Sequence, residues 1–319
     1  MKRFGIIMAG VMMFFATQAT SMARAESRAV GAKDYALLYQ LTDSSIESLS
    51  KAHLVIADLD HGASGAPITK EVVQTLGATG TQVIIYVSIG EAEGYRSYWK
   101  KNGYDKKRPT FLLSENPNWA ENFKVKFWDK EWQGIVFDMI GQAAHSGAMG
   151  VYLDIVDGYE DDEVQAAYEV DRAAGKAPHH LNVRQAMEEF VIAIAAYAKS
   201  INPPMKTFPQ NAVGLLTVDG DGQVPNERYL NAIGGIGVED TWTADNNSID
   251  WTAWSLNNLR HLTARKKPVL STDYPTKESL QKSFIKNATS QGFIPFVGTR
   301  KLGRAVPEIN KSIPKRLGW

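Results

Sequence analysis

The chain has 319 residues, 35 Lys+Arg against 35 Asp+Glu, 44% apolar residues and no cysteine. Such a chain can bury a large core, which excludes the disordered and fibrous classes. Without cysteine there are no disulfides, thiolate metal sites or cysteine nucleophiles, and the balanced charge argues against a nucleic-acid partner, which would require a basic excess.

The first element expected is a leader. Lys2 and Arg3 precede an uncharged, mostly apolar run over 4–16, and a polar stretch ends in Ala23, Arg24 and Ala25. This reads as an export signal over 1–25 followed by one mature domain over 26–319. The run is shorter than the ~20 residues that span a bilayer, so no stable membrane insertion is expected after cleavage. Cleavage removes three bases and no acid, which leaves a mildly acidic periplasmic or extracellular protein.

Beyond residue 25, short β-rich runs alternate with longer helical patterns. Strands are predicted over 35–41, 53–59, 82–89, 150–155, 206–209, 235–239, 268–272 and 293–297. Helices are predicted over 69–77, 132–146, 183–200, 226–233, 250–264 and 276–291 from apolar residues at helical spacing. The clearest is 183–200, with Met187, Val191, Ile194 and Ala195 on one face. Runs such as LVIADL and VIIYVSI are continuously apolar, as in parallel strands covered on both faces. Eight such units predict an α/β fold, a single-domain (β/α)8 TIM-type barrel. Its loops are elaborated at 94–131, rich in aromatics, and at 159–180, polar and acidic.

In a parallel barrel the site is built at the C-terminal ends of the strands. There the sequence places Asp58 and Asp60, then Glu91 and Glu93, Asp154 and Asp157, Gln210 and Asn211, Glu239 and Asp240, Asp273 and Tyr274, and finally Arg300. Any one Asp or Asn could merely satisfy a turn. Acids at so many strand ends point instead to one rim. Tyr86, Tyr95, Tyr98, Trp99, Trp242 and Tyr274 lie near that rim; each alone is more often packing, yet sugar faces favour such platforms.

Two carboxylates facing each other among aromatics suit glycoside hydrolysis. A hard-cation site at Asp58, Asp60 and Glu91 is the competing use, but His is scarce, with only His61 beside a rim acid. His179 and His180 in the polar insertion read as a solvated pair. No GxSxG, HExxH, Walker or GxGxxG pattern occurs, so serine-nucleophile, zincin and nucleotide chemistries lack support. A non-catalytic carbohydrate-binding barrel and, less favoured, a metal-dependent hydrolase remain alternatives.

VIADLD (55–60), VIIYVSIGEAEGYRSYW (83–99), GVYLDIVDGY (150–159), PQNA (209–212), GVEDTW (237–242), STDYP (271–275) and GFIPFVGTRKL (292–302) together resemble glycoside hydrolase family 114, the endo-α-1,4-polygalactosaminidase-like barrels. The resemblance implies an exported retaining glycosidase on α-1,4-linked galactosamine-containing polysaccharide, with Asp154 and Glu239 as the catalytic pair. It also implies no metal and no cofactor. Asp58, Asp60, Tyr86, Glu91, Arg96, Asp157, Gln210, Asn211, Asp240, Trp242, Asp273 and Tyr274 are the expected substrate contacts. A free galactosamine unit is cationic, and an acidic rim on a net-negative chain would attract it.

Overall fold

Eight parallel strands follow one another in barrel order: β1 (Tyr35–Leu38), β2 (Leu54–Asp58), β3 (Gln82–Ser88), β4 (Gly150–Asp154), β5 (Lys206–Pro209), β6 (Ile236–Glu239), β7 (Val269–Asp273) and β8 (Ile294–Val297). The computed structural model describes residues 35–38, 52–58, 60–61, 66–67, 69–300 and 309–310. The leader expected over 1–25 and the end of the 35–41 strand lie outside these.

The strands pair as two ladders, β1 to β5 and β6 to β8. The sequence predicts a barrel, and the two ladders meet at its seams. Between β5 and β6 the Gly234 amide donates to Thr207 O and the Asn211 amide to Gly237 O, both at 2.8 Å. Between β8 and β1 the described contact is through side chains, with the rings of Tyr35 and Phe296 5.4 Å apart. β5 and β6 are only four residues each, which limits the bonds available at their seam.

The helices are α1 (Lys70–Ala78), α2 (Ser97–Lys101), α3 (Lys130–Ser146), α4 (Asp162–Ala173), α5 (Val183–Ile201), α6 (Glu227–Ala232), α7 (Thr252–Thr263) and α8 (Glu278–Ser290). Their starts follow local chemistry. Thr69 caps α1 through Val72 N, Asp129 caps α3, and Asn182 with Gln185 forms a capping box on α5. Trp132, fully buried in α3, donates its indole N–H to Ile89 O at 2.8 Å and pins that helix to the end of β3.

Two helices depart from the sequence reading. The acidic insertion 159–180 is not an open loop, because α4 occupies most of it. Its buried stripe is only Val164, Tyr168 and Asp171, too narrow to stand out as apolar periodicity. The aromatic elaboration carries α2 and two strands, Leu112–Glu115 and Asn122–Val125; the second pairs antiparallel with both the first and Glu91–Glu93, which makes a small three-stranded sheet at the rim.

Candidate active site

β3 and β4 pair Tyr86 with Tyr152 and Ser88 with Asp154. Side chains two apart share a face, so Asp154 and Tyr86 emerge together at the strand ends. The Tyr86 hydroxyl donates to Asp154 Oδ2 at 2.5 Å, and the Ile155 amide donates to Oδ1 at 2.9 Å. Burial pushes the Asp154 carboxyl up to about 6, further raised by the charges of Glu93 and Glu91; the two donors partly offset this.

Glu239 ends β6. The Tyr274 hydroxyl donates to its Oε1, and its own amide donates to Asn211 Oδ1 at 3.0 Å. Burial raises its carboxyl to about 8, and the next largest cause is the charge of Asp154. The two acids therefore sense one another across the mouth of the barrel. Beneath them lies Tyr152, fully buried. Gly237 makes room for it, since a Cβ there would overlap the Tyr152 hydroxyl.

Asn211 links the ends of three strands, because its side chain also hydrogen-bonds Asp157 in the turn after β4. Asp157 is pushed up to about 7 by burial and then by Asp154. Gln210, beside Asn211, is buried with its amide oxygen unpartnered.

The backbone is strained at these positions. Ile155, Asn211, Ala212 and Asp240 have φ of 55°, 55°, 49° and 48°. Each lies just past a strand end at the site, and for the β-branched Ile155 the conformation is a genuine outlier.

A second group surrounds Arg96. Its guanidinium donates to Glu93 Oε2 at 2.7 Å and Oε1 at 2.9 Å, and to Asp58. Tyr95 donates to the same Glu93 at 2.7 Å. Glu91 is buried and accepts from Asn116 at 2.8 Å and Asn122 at 3.4 Å, and burial raises its carboxyl. Asp58 and Glu91 are thus held by a guanidinium and two amides, not turned toward a common cation.

The third group lies past β6 and β7. Arg300 donates from Nη2 to both oxygens of Asp240 at 2.8 and 2.9 Å and from Nε to Asp245 at 2.9 Å, and it lies 4.2 Å from the ring of Tyr274. Burial raises Asp240, and Arg300 opposes it.

Some expected contacts serve other roles. The Asp273 oxygens accept the amides of Thr241, Trp242 and Thr243 at 2.9 to 3.0 Å, so this acid fastens the loop after β6. Trp242 packs on Phe284 and Phe293, 5.8 and 5.9 Å between ring centres, as core under that loop. Asp60 lies in a two-residue strand whose side chains fall outside the described residues. His179 and His180 are exposed. The sequence places Glu93 at the rim without counting it among the expected contacts, and it does not single out Tyr152. Glu93 stands in the same EAE run as Glu91, and Tyr152 stands two before Asp154 on one strand face, so both had a local signal.

A family model described as glycoside-hydrolase family GH114 matches residues 17–313. An uncharacterised protein of Deinococcus radiodurans is 32% identical over 232 residues, 72% of this chain and 68% of its own. Among solved structures, Aspergillus fumigatus Ega3 in complex with galactosamine superposes with a TM-score of 0.64 at 20% identity, covering 87% of this chain and 95% of Ega3. The glycoside hydrolase domain of PelA from Pseudomonas aeruginosa does so at 0.61 and 17%, covering 85% and 96%. These two share the fold.

Proposed function

This chain belongs to glycoside-hydrolase family GH114, and on that premise we propose that it is an exported hydrolase of α-1,4-linked galactosamine-containing polysaccharide working by retention through Asp154 and Glu239. The observation that carries the reading is the pair itself: two strand-end carboxyls, each held by a tyrosine, the glutamic acid kept protonated to about 8 while the aspartic acid ionises near 6. Between these values one acid is a base and the other still holds its proton, the division of labour that two-carboxylate glycosidases need.

The Asp154 carboxylate attacks the anomeric carbon as the glycosidic C–O bond breaks, and Glu239 gives its proton to the departing oxygen. Tyr86 and the Ile155 amide donate to Asp154, which aims it and favours its charged form. With Tyr274 on Oε1, the other oxygen of Glu239 carries the proton. Glu239, now ionised, then takes a proton from water, which attacks the glycosyl ester and frees Asp154. Support for the substrate class comes from the family, from the galactosamine bound in Ega3, and from the acids near the pair, Asp157 and Glu91, which suit an ammonium-bearing sugar. Support for export comes from the pattern over 1–25; no helix among the described residues is long and apolar enough to cross a membrane.

The test is reducing-end release from partially deacetylated α-1,4-galactosaminan. Release that persists in EDTA supports the reading. Binding without release indicates a carbohydrate-binding barrel, and release abolished by EDTA indicates a metal-dependent hydrolase.

A further inference from the structure

Trp251 immediately precedes α7 and Trp254 lies in its first turn, three residues on. Each keeps about two-fifths of its surface in water, 43% and 42%. The indole N–H of Trp251 donates to Asp240 O at 2.9 Å and that of Trp254 to Gly220 O at 2.8 Å. With the one polar atom of each ring already bonded, what faces water is carbon surface held in a fixed orientation.

This surface is tied to the loop that leaves the site. Asp240 directly follows Glu239. A Cβ at Gly214, in the turn after β5, would stand 3.5 Å from the Trp254 ring and 3.6 Å from the hydroxyl of Tyr159, two residues past Asp157. The loops after β4, β5 and β6 therefore converge beneath the tryptophans. The 217–225 loop beside them is fastened by Thr217 to Asn258 at 2.7 Å, Asn257 to Asp221 O at 2.9 Å and Arg260 to Gly222 O at 2.8 Å. Asp219 and Asp221, both exposed, flank Gly220 at its tip. Arg184 is engaged by the carbonyls of Gly214 and Val218 at 2.7 and 3.0 Å, as Arg260 is by that of Gly222.

Resting on the glycosidase reading above, we propose that Trp251 and Trp254 form a distal subsite, a stacking shelf for sugar units of the polysaccharide beyond those that flank Asp154 and Glu239. A hexosamine ring offers a C–H face to an indole, and its ammonium group is attracted both by the ring face and by Asp219 and Asp221. Because the rings are fixed before binding, little ordering entropy opposes the contact. The shelf makes the enzyme favour long chains, since a short oligosaccharide that fills the catalytic subsites does not reach it.

The experiment compares wild type with Trp254→Ala, Trp254→Phe and Trp251→Ala on galactosaminan polymer and on a galactosamine trisaccharide. Expected is a roughly tenfold rise in KM for polymer in each alanine variant, with trisaccharide kinetics unchanged and Trp254→Phe close to wild type. If the tryptophan merely fastened the loop, Trp254→Phe, which lacks the N–H, would be as impaired as Trp254→Ala, and on both substrates; that result overturns the shelf. Variants indistinguishable from an active wild type overturn it as well and leave the proposed function standing. A wild-type chain that neither cleaves nor binds the polymer overturns both.

Discussion

Tyr86 donates its phenolic proton to Oδ2 of Asp154 across 2.5 Å, a bond that exists only with an acceptor oxygen and so favours the ionised acid. Removing it in Tyr86→Phe lifts the Asp154 pKa further above its ordinary value. Activity needs Asp154 ionised, so the acidic limb of the kcat/KM profile moves to higher pH, by about one unit for the loss of one hydrogen bond to a charged group. A limb that stays in place would show that Asp154 does not set it.

The unaltered protein should give a bell-shaped pH profile. Turnover rises as Asp154 loses its proton near 6 and falls as Glu239 loses its own near 8. These values belong to the interacting pair. Arg300 lowers the Glu239 pKa, so Arg300→Met moves the alkaline limb up in pH. Movement of that limb downward contradicts the electrostatics.

Stability and activity should part company at Glu239. Its folded pKa of about 8 exceeds the ordinary 4.5, so the folded chain holds a proton that the unfolded chain releases. Folding stability therefore declines as pH rises from 4.5 through 8, as burial of the charge takes its toll. Glu239→Gln removes this cost, and its Tm should exceed that of wild type at pH 8 to 9 while the difference shrinks at pH 5. Equal Tm values at both pH values would mean that the carboxyl is not strained by burial.

Asp273 predicts the reverse. Its oxygens serve three backbone amides of the loop that follows Glu239. Asp273→Ala leaves buried donors without an acceptor, and should cost about 2–4 kcal/mol in urea denaturation. Turnover falls as the loop that follows Glu239 loosens. A variant as stable as wild type would return Asp273 to the list of substrate contacts.

The strand ends were readable in the sequence because parallel strands are apolar until they leave the barrel. LVIAD stops at Asp58, GVYLD at Asp154, IGVE at Glu239 and VLSTD at Asp273, and these acids do end their strands. What each acid does there depends on partners remote in sequence, and that was not readable. Glu93 and Asp58 share Arg96; Asp273 closes a loop some thirty residues upstream; Trp242 turns down onto Phe284. Helix α4 was hidden for a different reason, because it rests on two apolar residues and the Asp161 cap while Lys124 draws that cap inward at 2.7 Å.

The most direct measurement is initial reducing-end release from galactosaminan by wild type, Asp154→Asn and Glu239→Gln, alongside polymer binding by each. If the two acids are the reacting pair, both variants bind the polymer as wild type does and lose about 10²–10⁴-fold in turnover, the usual cost of removing a positioned acid or base. Near-normal turnover in either variant would contradict the assignment of that residue.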